Sequence, residues 1–190
     1  MRKDLGSLPA MFPMPVLMVA TYGEDGKVDV MNVAWGSICG MDKIALYLAP
    51  ERKTLKNIRA KKAYTVALAD EAHIKEADFL GTASGNTMAD KFERTGLHAV
   101  KSEHVDAPVI EEFPLTMECK LEEAVEMFGE IRVIGTIVNV VADDKVLDEK
   151  GKVDASKLNA IMFDQYRNTY YTAGKEIARA WHVGAEFMKK

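Results

Sequence analysis

Short apolar runs broken by turn residues dominate the first half of the chain. Residues 16–22 form a β-rich run closed by Gly23, Glu24, Asp25 and Gly26, and a second run covers 28–35. Two such runs around a glycine-bearing turn predict a hairpin. Residues 44–49 alternate until Pro50, and 64–69 follow the basic stretch Arg59, Ala60, Lys61 and Lys62. Both read as further strands of one sheet. Between them, Leu55 and Ile58 share one helical face, which predicts a short helix over 54–60 with Thr54 as its N-cap. Ile74, Ala77 and Leu80 recur at helical spacing, and the stretch 88–94 ends at Gly96. These predict two small helices that cap an open end of the sheet.

The second half returns to β character. Residues 115–128 are long and partly alternating, residues 131–141 are strongly β-branched, and Gly129 marks the corner between them. Residues 148–151 form a polar turn, and the tail over 173–180 has helical propensity before Trp181. There is no internal repeat or linker, so residues 1–190 are expected to form one domain. Many short strands with few helices, and no regular strand–helix alternation, predict a mainly β protein with added helices built on an antiparallel barrel.

Composition narrows the function. The chain has 190 residues, 48% hydrophobic and 28% charged, enough for a well-packed core without help from a cofactor. A formal net charge of -4 argues against nucleic acid as a partner, so any anion site must be local. Cys39 and Cys119 are the two cysteines and form no Cys-x-x-Cys pair, which predicts reduced thiols and leaves redox chemistry to a cofactor. Arg2 and Lys3 precede an apolar stretch, but Pro9, Pro13 and Pro15 spoil a secretory helix. No run approaches the length of a membrane-spanning helix. A cytoplasmic protein is expected, without a membrane partner.

Several familiar chemistries fail on spacing. No two glycines lie two apart, which removes the dinucleotide fingerprint, and no Walker loop can be drawn. Ser84 sits in the wrong place for a nucleophile elbow. His73, His98, His104 and His182 are scattered without metal-site pairing, and the Glu111–Glu112 and Glu122–Glu123 pairs read as solvated faces. No metal ligand set and no catalytic acid or base can be assigned.

Three segments remain informative. Arg52, Lys53 and Thr54 precede a predicted helix start, where free amides, a guanidinium and a hydroxyl can converge on one phosphate. The alternative is an exposed basic turn capped by Thr54. Ser84 and Gly85 lie in a small-residue loop leading to Lys91, which offers a hydroxyl, close backbone approach and a cation, or else an ordinary capped turn. Asn32, Val33, Ala34, Trp35, Gly36 and Ser37 set an indole beside small residues at a strand end, suited to a planar ring, with core packing of Trp35 as the competing reading.

In order along the chain, these segments resemble the flavin reductase-like branch of the FMN-binding split-barrel superfamily, which includes flavoredoxins. The resemblance is carried by Pro15-Val16 with Val19-Ala20-Thr21, by the 32–37 and 52–54 segments with Asn57-Ile58, by Ala77-Asp78, Ser84-Gly85 and Asp90-Lys91-Phe92, and by Leu147-Asp148-Glu149. It implies a six-stranded antiparallel split β-barrel with added helices, usually a homodimer with FMN near the subunit interface. On that analogy Arg52, Lys53 and Thr54, supported by Ser84, Gly85 and Lys91, hold the phosphate. The backbone of 32–37 borders the isoalloxazine, Trp35 packs near it, and Phe163 reaches the ring from farther along the chain.

The family implies an FMN-dependent oxidoreductase that passes electrons from NADH or NADPH, or another donor, to a small-molecule or protein acceptor. Two alternatives stay open: a non-catalytic FMN-holding carrier, store or sensor, and a structural β-barrel whose basic loops bind nothing in particular.

Overall fold

The computed structural model describes residues 1–188. Seven strands form one antiparallel sheet: β2 (Leu17–Tyr22), β3 (Val28–Val33), β4 (Gly36–Ile38), β5 (Lys43–Leu48), β6 (Ala63–Leu68), β9 (Leu115–Met127) and β10 (Glu130–Ala142). Their order across the sheet is β3-β2-β6-β9-β10-β5-β4, and the sheet curls into a half-barrel. Two small sheets flank it. One joins β1 (Met14–Pro15) to β11 (Ile161–Asp164) and β12 (Thr169–Thr172), and the other pairs β7 (Ala99–Lys101) with β8 (Pro108–Ile110). The helices are α1 (Lys53–Lys61) and α2 (Ile74–Thr82).

The continuous apolar character of β2 follows from its place between two cores. Leu17 and Val19 point into the barrel with Val33, Leu46, Tyr64, Val66 and Val133. Met18 and Ala20 point the other way, onto Ala77 and Leu80 of α2 and onto Phe92 and Phe113. A strand buried on both faces needs no polar alternation. Helix α1 closes the barrel with Leu55 and Ile58, the pair set three apart in the sequence.

Two hairpins are fixed by backbone chemistry. Phe128 and Gly129 both have positive φ, 56° and 85°, between Met127 and its partner Glu130. That is the twist a two-residue turn needs to join long right-twisted strands. In the β2–β3 turn Gly26 has φ 76°, and the amide of Gly23 donates to Lys27 O at 2.8 Å.

Several expectations change. Strand β3 stops at Val33; the chain bends at Ala34 and Trp35 and resumes as β4. Thr54 is not an N-cap: Arg52 holds that position with extended backbone, and the Thr54 hydroxyl donates to Asp29 Oδ2 at 2.6 Å instead. The stretch 88–94 is a series of turns ending in a 3-10 segment, Glu93–Thr95, although Gly96 ends it with φ 72° as a left-handed cap does. The tail over 173–180 is irregular and exposed rather than helical, because no described residue buries it and an isolated short helix is marginal in water. Among the described residues no helix is long and apolar enough to cross a membrane.

Both cysteines are unpaired, Cys39 exposed and Cys119 buried. Burial, and secondarily the neighbouring Glu118, push the Cys119 thiol up to about 12. The folded chain therefore keeps this proton while an unfolded chain releases it near its ordinary pKa of about 8.5. Stability falls as pH rises through that window. Denaturation in urea is expected to show a loss of about 2 kcal/mol between roughly pH 8 and 10.5 that is smaller in Cys119→Val; equal slopes would remove the thiol from this role.

Candidate functional site

The bend after β3 opens a cleft of about 440 Å³. That lies within the range of small-molecule sites, roughly 300–1,000 Å³. Its walls are the β3 end with Asn32, Val33, Ala34 and Trp35, the β5 end with Tyr47, Leu48 and Ala49, the α2 residues Asp78 and Gly81, and Phe163 and Tyr170 from the β11–β12 flap. Trp35 is 55% exposed, so its indole is not spent on the core; Val33 contributes to both. Gly36 and Ser37 stand outside the lining. A Cβ on Gly36 would meet Leu17 and Leu46, and Ser37 is exposed with its hydroxyl donating to Ile38 O.

The flap is fastened to α2. Tyr170 Oη donates to Asp78 Oδ1 at 2.9 Å, and burial together with the Asp78 charge pushes the phenol up to about 12, so it remains a donor at neutral pH. Phe163 and Tyr170 pack with ring centroids 5.9 Å apart. On the opposite side α2 lies directly against β3: a Cβ on Gly81 would come within 2.9 Å of Asn32 Cβ, while Asn32 Nδ2 reaches Ala77 O at 3.5 Å.

A second recess of about 10 Å³ adjoins the cleft, and Met31, Arg52 and Gly81 line both. It has room for one small group. Lys53, Thr54, Ser84, Gly85, Lys91 and Asp29, with Leu80 and Ala83, complete its wall, so the two candidate anion segments of the sequence converge here. Gly85 is needed for the closeness of the walls, since a Cβ would overlap the Asp29 carboxylate and come within 3.0 Å of Lys53 Cδ. Asn86 Nδ2 donates to Glu51 O at 2.8 Å and ties the loop to the entry of α1.

The electrostatics suit an anion. The first turn of α1 contains no acidic residue, and its N-cap makes no side-chain hydrogen bond to the free amides. Arg52, Lys53 and Lys91 bring three positive charges and Asp29 one negative, which leaves two positive charges in excess around the recess. That surplus matches a phosphate monoester, which carries close to two negative charges at neutral pH. Lys91 is itself buried: its ammonium donates to Ala83 O at 3.2 Å and Leu80 O at 3.4 Å and lies 3.7 Å from Asp29 Oδ1. Burial holds its pKa below the ordinary lysine value; Asp29 opposes that shift, and Lys53 and Arg52 add to it.

Asp29, Tyr47, Glu130 and Tyr170 line these cavities without having been singled out in the sequence, whereas Asp78 entered through the Ala77-Asp78 pair of the resemblance. Asp29 did leave a signal, a lone carboxylate between Val28 and Val30 in a strand. The others gave none, because their place depends on strands far apart in the chain.

A split, curled antiparallel barrel is the architecture of flavin reductase-like split-barrel proteins. The chain belongs to that family: the model for the flavin reductase like domain matches residues 9–169. It is similar to the flavoredoxin of Desulfovibrio vulgaris (Miyazaki F), with 34% identity, a TM-score of 0.92, and coverage of 97% of this chain and 100% of that one. A flavoredoxin from Methanosarcina acetivorans shares the fold at 21% identity, with a TM-score of 0.87 over 99% of this chain and 98% of its own. An uncharacterised protein of Aeropyrum pernix is 30% identical over 65% of this chain, which spans about half (50%) of that relative's length.

Proposed function

We propose that the protein is an FMN-dependent oxidoreductase, with the flavin phosphate in the recess and the isoalloxazine in the cleft. The observation that carries this reading is the junction at Arg52, where a small recess with two surplus positive charges meets an apolar, aromatic cleft. Flavin-family membership supports it independently. When bound, FMN supplies reversible acceptance of electrons and hydride.

The chain's own residues bind and orient. Arg52, Lys53 and the first amides of α1 receive the phosphate, and Ser84 and Gly85 form the facing loop. Asn32, Val33 and Ala34 offer a close-packed backbone edge, while Trp35 and Phe163 border the ring. The open rim admits NADH, NADPH or another donor, and then a small-molecule or protein acceptor. Exposed Val138, Val140 and Val141 on β10, with Trp35 and Tyr47 near the cleft, suit burial against a second copy in a homodimer. Two unpaired thiols fit a reducing cytoplasm.

The purified protein is expected to be yellow or to gain flavin absorbance on titration with FMN. FMN at about a hundred times its Kd is expected to stabilise the fold by about 2.7 kcal/mol, raising Tm. A colourless protein whose spectrum and Tm both ignore FMN would sink the proposal. Anaerobic mixing with NADH and NADPH then separates a reductase, bleached by one of them, from a carrier that neither reduces.

A further inference from the structure

Asp29 is an unexpected presence in an anion recess. Its side chain is 2% exposed and faces the cavity in which three cations converge. A carboxylate there repels a phosphate directly, so its presence calls for a compensating role. Its contacts supply one. Oδ2 accepts from the Thr54 hydroxyl at 2.6 Å and Oδ1 lies 3.7 Å from Lys91 Nζ. Its backbone carbonyl accepts from Thr21 Oγ1 at 3.4 Å, and Thr21 in turn accepts from Asn57 Nδ2 of α1 at 3.0 Å. Strand β3, helix α1 and the loop after α2 are thus joined at one carboxylate.

Resting on the FMN reading above, we propose that Asp29 is a positioning residue of the phosphate site. Its carboxylate anchors the Lys91 ammonium and the Thr54 hydroxyl beneath the 83–85 loop, and this keeps the recess selective for a terminal phosphate monoester. Removing one partner of a buried pair leaves the other uncompensated. Every group facing Lys91 bears on the outcome: Asp29 from β3, Arg52 and Lys53 from the start of α1, and the carbonyls of Leu80 and Ala83 from the end of α2. Asp29 is the one carboxylate among the described residues that line the recess. Without its charge, Lys91 is a buried ammonium facing two other cations, with only carbonyls to hold it, and it releases its proton at lower pH.

Asp29→Asn tests this, because asparagine keeps the shape and an acceptor for Thr54 but withdraws the charge. FMN and riboflavin affinities are measured by flavin fluorescence between about pH 7 and 9, where the phosphate stays close to dianionic. The wild type is expected to hold FMN evenly across this range. The variant is expected to lose FMN about tenfold as pH rises, with riboflavin unchanged in both. In a Lys91→Met background, Asp29→Asn is expected to add no pH dependence.

An FMN profile of Asp29→Asn parallel to that of the wild type, or an equal loss for riboflavin, overturns the positioning role and leaves the FMN reading standing. A wild type that binds riboflavin as tightly as FMN overturns both. Should the variant fail to fold, carbon NMR of the Lys91 side chain in the unliganded wild type decides the matter. A lysine still charged at about pH 9 supports the proposal, and one already neutral at about pH 8 overturns it.

Discussion

Replacing Arg52 by alanine is expected to weaken FMN by about 10- to 100-fold while changing riboflavin by less than about threefold. The magnitude follows from a charge-assisted hydrogen bond, worth about 1.5–3 kcal/mol, at about 1.4 kcal/mol per tenfold. The selectivity follows from placement. Arg52 lines both the recess and the cleft, and as N-cap it precedes the free amides of α1 without capping them by its side chain. Riboflavin has no phosphate and keeps its ring contacts with the cleft. Isothermal titration of both flavins against wild type and variant measures the split, and equal losses would mean that the phosphate is held elsewhere. Thr54→Ala is expected to act in the same direction with a smaller loss, because its hydroxyl is already committed to Asp29 at 2.6 Å. Its contribution to the ligand is to keep that carboxylate turned toward itself and Lys91.

Much of this frame was legible in the chain because it rests on local chemistry. The apolar run before Tyr22 marked a hairpin strand, and Leu55 with Ile58 marked a short helix; that this helix closes the barrel, while the 74–80 helix expected to cap the sheet packs on the other face, needed the fold. Arg52, Lys53 and Lys91 marked cations that the fold gathers from two loops. The errors arose where a side chain chose a distant partner over a local one. Thr54 fits an N-cap by type, but Asp29, twenty-five residues earlier, takes its hydroxyl. The short strands β1, β11 and β12 carry too few residues to show a period, and they exist because each has a partner across the chain: Met14 pairs with Phe163, and Phe163 with Tyr170. The Tyr170–Asp78 contact spans ninety-two residues, so no spacing in the sequence announces it. Trp35 was ambiguous for another reason. A lone indole is suited equally to a core and to a ligand, and only the bend after Val33 decides that it faces the cleft.

The largest loss of stability is expected from Gly135→Ala, and its cause is a single neighbour. Gly135 sits in β10 opposite Ile44 of β5 and Leu121 of β9, beside a register shift, with the Tyr64 ring laid across its Cα. A Cβ there would overlap the Tyr64 hydroxyl and come within 2.7 Å of its Cζ. Tyr64 is fully buried and cannot swing aside without opening the barrel core. Overpacking of this kind costs about 3 kcal/mol. In a chain of this size that lowers Tm by roughly 6–12 °C. The Tyr64 hydroxyl also has no hydrogen-bond partner among the described residues, and burial pushes its pKa far above the ordinary value. Tyr64→Phe alone therefore gives up no hydrogen bond and relieves a desolvated group, so it is expected to be neutral or to stabilise by about 1 kcal/mol. Because the clash is with that same oxygen, Tyr64→Phe in the Gly135→Ala background is expected to recover about half of the loss. The two substitutions should thus couple by about 0.5–1.5 kcal/mol in a double-mutant cycle read by urea denaturation. Additive effects would show that the barrel accommodates the methyl by moving β10, and that the glycine serves the bulge rather than the tyrosine.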